Sequence, residues 1–299
     1  MTISTSQIRD LLLPGLSKII GEYEQFPRQW SSIFDKSTSD MAFERDVEMK
    51  MTGLAQLRPE GSATAMDEMG ERFQYTYRHV QVALGFVITR NAVRDNLYKK
   101  QFSPSAKALR NSILQTEEVY GASVLNSATD AAAVGGDGVP LLSTAHPIDT
   151  GTVANTPAVQ AQLNETSLTD GLVAIRRFRD AAGLRAMIGA DKLIVPPEMQ
   201  WVAERLTQTN LRVGTADNDI NAMKSRNALP GGFEINDFIS NTNSWYIKTK
   251  LEDALRYFER DPLESDMFVD FMTDNLMTKA TKRFSFGWSN FRGIYGSMP

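Results

Sequence analysis

A chain of 299 residues with 42% apolar and 23% charged side chains is too apolar to be disordered and can bury one large core or two ordinary ones. It has no cysteine, which excludes a disulfide framework and any Cys-ligated zinc or iron–sulfur site and fits a reducing cytoplasm. A net charge of −4 argues against tight nucleic-acid binding as the primary task, and no run reaches the roughly 18 apolar residues that a membrane-spanning helix needs.

Residues 1–40 carry Ile8, Leu12, Leu16, Ile19 and Tyr23 at helical spacing, interrupted by Pro14-Gly15. The same break cuts short the run after Arg9, so no secretion signal is read there. The segment is expected to be an apolar arm that needs a neighbour to cover it. Over 42–52 the residues alternate: Phe43, Val47, Met49 and Met51 on one side, Glu44, Asp46, Glu48 and Lys50 on the other. That period of two predicts a strand whose acidic side faces water. Residues 71–89 alternate as well, with a phase change at His79-Val80 that predicts a bulge or sharp twist. The two strands would form a ribbon with a wide tip at 53–70, and a two-stranded ribbon is marginal in water unless it lies on something.

Val93 and Leu97 begin a short helical segment, and Ser103-Pro104 reads as an N-cap with proline at the first helical position. The long helix predicted there spans about 103–128, with Leu109, Ile113, Tyr120 and Val124 on one stripe. A loop follows over 139–165, then a helix started by Ser167 and Asp170 and stopped at Gly183. Lys192–Val195 reads as a strand, Pro196-Pro197 opens a helix, and 210–232 is a polar loop. Strands are expected at 233–239, 244–248, 255–260, 266–271 and 276–288. Helices mixed with antiparallel-looking strands, without βαβ spacing, make the fold class α+β.

Chemistry-bearing constellations are sparse. His146 could act as a base with Asp149 as orienter and Ser143 or Thr144 as nucleophile, but no Gly-x-Ser-x-Gly elbow accompanies it, and a hydrolase is only a competing reading. No phosphate-binding glycine loop is present. Glu44, Asp46 and Glu48 read as a solvated face, not a metal site, and Asp217, Asn218, Asp219 and Asn221 lack the spaced glutamate of a calcium loop. No catalytic, cofactor-binding or metal residue is therefore assigned. The charges are more informative. Residues 44–72 hold seven acids (Glu44, Asp46, Glu48, Glu60, Asp67, Glu68, Glu71) against four bases, and 86–111 hold six bases (Arg90, Arg94, Lys99, Lys100, Lys107, Arg110) against Asp95. The two sets would complement each other between copies of the chain.

Four strings in order carry a family resemblance: Arg90–Tyr98, Gly138–Pro147, Lys192–Pro197 and Phe286–Gly293. Together they resemble the major capsid proteins of tailed bacteriophages with the Hong Kong 97-type fold, and more closely the Mu-like major head subunits. The resemblance implies an N-arm at 1–40 and an extended loop at 41–89. It implies a peripheral domain from 90–135 and 251–299, whose spine helix is the long one, and an axial domain at 136–250.

In that family the extended loop lies over the peripheral domain of a neighbour, and the chain forms hexamers and pentamers of an icosahedral head. The expected partners are the chain itself, a portal, a separate scaffold protein, a decoration protein and, non-specifically, the packaged DNA. The expected location is the virion, assembled in the host cytoplasm. No cleaved N-terminal scaffold is expected, because the ribbon begins near residue 42. No isopeptide cross-link from Lys50 to Asn275 or Asn290 is expected either. An encapsulin-type nanocompartment shell shares the fold and stands as the alternative.

Overall fold

The computed structural model describes Leu16, Lys18 and residues 27–94, 98–211 and 219–299, the side chains of 93, 94 and 98–103 excepted. Most of the predicted N-arm and part of the 210–232 loop thus lie outside the described residues.

Two four-stranded sheets organise the chain. The first runs in the order β1 (Asp35–Thr38), β10 (Leu255–Val269), β11 (Leu276–Trp288), β4 (Val80–Ile88). The second is ordered β12 (Ile294–Ser297), β9 (Trp245–Thr249), β7 (Ala190–Val195), β8 (Gly232–Ile235). Two smaller pairs complete the strands: β2 (Phe43–Lys50) with β3 (Gly70–Arg78), and β5 (His146–Ile148) with β6 (Gly151–Val153). The helices are α1 (Arg90–Arg94), α2 (Tyr98–Asn126), α3 (Glu165–Arg176), α4 (Gln200–Thr207) and α5 (Ala222–Ser225). The mixture is α+β, as the pattern implies.

The long helix α2 lies across the first sheet. Ala106, Leu109 and Ile113 recur at helical spacing and pack with Leu16 on Met267, Leu276 and Ala280 of the hairpin. Each such large side chain contributes about 1.5–3 kcal/mol on burial. Further along, Leu125 meets Trp30, Ile33, Phe34, Tyr257 and Phe284, and this cluster continues through Ile194, Tyr246 and Ile294 into the second sheet. The two sheets therefore share a core. On its other side the second sheet is covered by α3 and α4, through Leu168, Ile175 and Ala203 against Leu193, Val195, Trp245 and Ile247.

Three local expectations are corrected. The long helix begins at Tyr98, and Pro104 lies inside it. Proline suits a first helical turn, but a helix that has begun upstream tolerates it early at the loss of one backbone donor. Helix α3 is capped by Asn164, three residues before the expected Ser167. The Asn164 side chain accepts from Ser167 N–H while the Ser167 hydroxyl receives Asn164 N–H. Ser and Asn serve equally as caps, so Ser167 at the third helical position looked like the cap itself. The strands expected at 255–260 and 266–271 are one strand, Leu255–Val269, and Phe271 lies in the turn that follows. The register of the strand slips between Glu259 and Glu264, around Pro262, which cannot donate to the ladder.

Candidate inter-subunit site

The phase change at His79 has a topological cause. Strand β3 pairs antiparallel with β2, whereas β4 pairs with β11 in the large sheet. His79 sits at the crossover, with one ring nitrogen 3.1 Å from Ser39 Oγ and the other 3.1 Å from Ser285 Oγ. Burial, with Arg283 nearby, lowers the pKa of the ring. The ribbon proper is therefore 43–78, with 51–69 as its tip, and residues 80–88 belong to the body.

The faces of the ribbon are opposite to expectation. The side bearing Glu44, Asp46, Glu48 and Lys50 turns toward the body, and the apolar side, with Phe43, Val47 and Met49, faces water. Alternation shows which residues share a face but not which face is covered. Here the body offers cations. Arg256 Nη1 is 3.0 Å from Asp46, which also accepts from the Ser289 hydroxyl. Glu48 lies at a register slip of the ladder, which turns it toward both Arg72 (3.0 Å) and Arg292 (2.9 Å). Lys50 Nζ is 2.9 Å from Asp149, whose other oxygen meets Arg72 at 3.2 Å. The Lys50 ammonium holds the Asp149 carboxyl below its ordinary range, and Asp149 raises Lys50 in return. Tyr75 and Tyr77 complete the root, packed on Trp288 and Phe258. Burial raises the pKa of both phenols.

The ribbon is thus pinned at its root by ion pairs and rings, while its outer face is bare. Met51, Leu54, Leu57, Met66 and Met69 extend the exposed apolar surface along the tip. Phe271 and Met272, at the end of the β10–β11 hairpin, add a second exposed apolar point that no periodicity flagged, since two residues in a turn have no period.

The two predicted charge sets are not brought together within one chain. Of the acids, Asp46 and Glu48 are spent on the body, and Glu44 accepts from the Ser39 hydroxyl. Glu60, Asp67, Glu68 and Glu71 remain exposed at the tip and ribbon edge. Of the bases, Arg90 pairs with Asp274, Arg110 is buried and bonded to Asn111, and Lys107 is exposed. The side chains of Arg94, Lys99 and Lys100 lie outside the described residues.

The hydrolase constellation is not assembled. His146 is fully buried and stacked at 3.9 Å on Phe291. Its Nδ1 is 2.7 Å from Asp137, not Asp149, and its Nε2 is 3.2 Å from the Leu141 carbonyl oxygen. Both nitrogens are engaged, Asp149 is held by Lys50, and the Ser143 hydroxyl accepts from Ala145 N–H. Asn221 caps α5 through Met223 N–H, while Asp217 and Asn218 lie outside the described residues. Among the described residues no group of three or more His, Asp or Glu side chains could hold a metal. Likewise, no described helix is long and apolar enough to cross a membrane.

Residues 74–297 match the model of a family described as phage capsid protein. No curated protein matches the chain in sequence. Several solved structures share its fold. A virus-like particle from Pyrococcus furiosus has a TM-score of 0.55 at 10% identity, covering 94% of this chain and 97% of that one. Microbacterium phage Oxtober96 gives 0.55 at 7% identity, covering 92% and 91%. The capsid of Myoviridae phage XM1 gives 0.54 at 9% identity, covering 89% and 88%.

Proposed function

Since the chain belongs to the phage capsid protein family, we propose that it is the major shell-forming subunit of a tailed-phage head, assembling as hexamers and pentamers of an icosahedral shell. Its fold is the Hong Kong 97-type α+β fold. In the corresponding layout, 1–40 is the N-arm and the extended loop of 41–89 narrows to a ribbon at 43–78. The peripheral domain takes 90–135 and 251–299 and is joined by β4, and the axial domain takes 136–250. Packaged DNA, a portal, a separate scaffold and a decoration protein are the partners this reading implies, with assembly in the host cytoplasm.

The observation that carries the reading is the ribbon with its apolar side outward. An isolated subunit would expose Phe43, Val47, Met49 and Met51 with the tip's leucines and methionines, interrupted on the same face by Arg45, and so many exposed large apolar side chains on one arm are seldom kept by soluble monomers. A second copy lying under each ribbon covers it. Such contacts are individually modest, and closure of a symmetric shell multiplies them. The reading is of a structural protein, and the occupied nitrogens of His146 support it.

Electron microscopy of the expressed chain tests the reading. Uniform closed shells are expected; a monodisperse monomer at high concentration would overturn it. Co-expression with the portal and packaging machinery distinguishes a genome-filled head from a nanocompartment by its contents.

A further inference from the structure

The glycine-rich turn Gly135-Gly136-Asp137-Gly138 and the buried His146 meet under the root of the ribbon. The turn is closed by Gly135 N–H on the Val139 carbonyl (2.9 Å) and Gly138 N–H on the Gly135 carbonyl (3.1 Å). Gly138, at φ 79°, supplies its left-handed step. Asp137 ties the turn to the body from behind. Its Oδ2 lies 2.7 Å from His146 Nδ1, with both side chains shut off from water, and the imidazole is stacked on Phe291.

In front of the turn the ribbon comes closer than a side chain would allow. A Cβ on Gly136 would lie 2.7 Å from the carbonyl carbon of Gln74, and closer still to its oxygen. Nonbonded carbons come to rest near ~3.5 Å. A Cβ on Gly135 would run into the ring of Trp288, on which Tyr75 packs at 5.3 Å. Gly287 on β11 makes a further close approach, since a Cβ there would lie 2.7 Å from the ring of Tyr77. By contrast, a Cβ on Gly70, at the outer end of β3, would meet nothing within 4 Å. The close approaches to β3 thus fall at its root.

Such steric stops act differently from the ion pairs that hold β2. An ion pair follows its partners through a small shift, whereas a stop fixes a position, because repulsion rises steeply below contact. The chain enters and leaves the ribbon beside Ser39 and His79, and His79 is bonded there to Ser39 and to Ser285 of the body. With the pivot at that crossing, the Gly136 turn bears on β3 five residues further out and decides the angle at which the ribbon leaves the body.

Resting on the reading of the chain as a shell subunit, we propose that Gly136 and Gly287 are the seats that set the angle of the ribbon, with Asp137 and His146 as positioning residues behind Gly136, and that this angle sets the curvature at which copies close into a shell. A closed assembly of rotationally related copies needs one fixed inclination between neighbours, and an error in it yields open or differently sized forms. A methyl group on Gly136 must open the 2.7 Å approach to ~3.5 Å, so that turn or ribbon yields by roughly 1 Å. The turn is held by Asp137 and a buried ring, and the ribbon is only two strands, so the ribbon yields. At about 3.3 Å per residue, Gln74 is about 16 Å from the pivot and Glu71, opposite Met49, about 26 Å. The shift therefore grows to roughly 2 Å at Met49.

Since the chain has no cysteine, Met49→Cys with Val159→Cys, both at exposed positions, accepts a pair of spin labels. Pulsed dipolar spectroscopy of the unassembled subunit then reads the inclination of the ribbon. Gly136→Ala is expected to move the mean distance by roughly 2 Å or to broaden its distribution while a single cooperative unfolding transition is kept. Gly70→Ala is expected to leave the distance alone. In electron micrographs of the unlabelled chain, Gly136→Ala should give shells of altered or mixed diameter, or open sheets. Gly287→Ala, whose obstacle is a ring rather than backbone, should act alike and carries the test if Gly136→Ala does not fold. Asp137→Ala should broaden the distribution by loosening the seat. Unmoved distances in both seat variants, or an equal shift from Gly70→Ala, would overturn the seats. A moved distance with shells of unchanged diameter would overturn the link from angle to curvature, and a narrow, unmoved distance for Asp137→Ala would remove Asp137 and His146 from the device. If the unaltered chain forms no shells, the shell reading falls, and the distances still decide the seats.

Discussion

Lys282 on β11 and Glu117 on α2 meet 2.8 Å apart, both side chains wholly withdrawn from water. The carboxylate also accepts from the Tyr257 hydroxyl at 2.6 Å, and the ammonium lies 3.2 Å from Glu259, which Lys36 of β1 reaches at 2.6 Å. This network fixes the long helix on three strands of the first sheet at one level. Buried pairs give little net stability, but breaking one strands a charge. Lys282→Met should therefore destabilise the unassembled subunit by about 3–5 kcal/mol in urea unfolding. A loss below about 1 kcal/mol would mean that the pair is solvated in solution.

The ribbon root makes a second, separable prediction. Arg292 is buried and ties Glu48 to Asn290 and to the Arg179 carbonyl, whereas the Lys50–Asp149 pair is partly exposed. Arg292→Met should cost about 1.5–3 kcal/mol, the range for hydrogen bonds to charged groups. Its signature is faster amide exchange over 43–50 and 70–78. Lys50→Met should cost less than about 1 kcal/mol, as exposed pairs do. Equal effects of the two substitutions would contradict the burial difference.

The legible part of this fold was its periodicity. The alternation of 42–52, 71–89 and 276–288 marked extended chain in the right places, and the phase change at His79, read as a bulge within one strand, is the junction between two strands, β3 and β4. What alternation cannot encode is which face is covered, because that depends on residues far away. Asp46 faces inward because Arg256 and Ser289, more than 200 positions on, arrive beneath it. The cap at Asn164 was ambiguous for a local reason, since Asn164 and Ser167 are both good caps three residues apart.

Because the outer side of the ribbon is exposed in the subunit, its residues can be changed without disturbing the fold. Val47→Asp with Met49→Asp should leave subunit stability within about 0.5 kcal/mol, as for other surface positions. It should abolish closed shells in electron micrographs, since each copy would then present charge to the neighbour meant to bury it. Intact shells from this variant would remove the ribbon from the inter-subunit contact.

Glu118 supplies a pH prediction. Its side chain is buried on α2 and receives the backbone N–H groups of Gln29 (2.9 Å) and Trp30 (3.0 Å), tying the turn at Gln29–Ser32 to the helix. Burial pushes the carboxyl up to about 7 from an ordinary 4.5, and the two N–H donors only partly counter it. A folded-state value above the unfolded one means that the fold holds this proton more tightly than the open chain does. The associated stability is complete below about pH 4.5, declines as pH rises through about 7, and is gone above that. At 1.36 kcal/mol per pH unit the whole swing is at most about 3 kcal/mol. Glu118→Gln cannot titrate, so the stability of the native chain minus that of the variant should fall across this window and be flat on either side. Urea unfolding of the unassembled subunits from about pH 4 to 8 measures it. A difference that rose with pH would show that the two N–H groups outweigh burial and hold Glu118 ionised, so that its hold on the N-terminal turn would strengthen, rather than weaken, toward neutral pH.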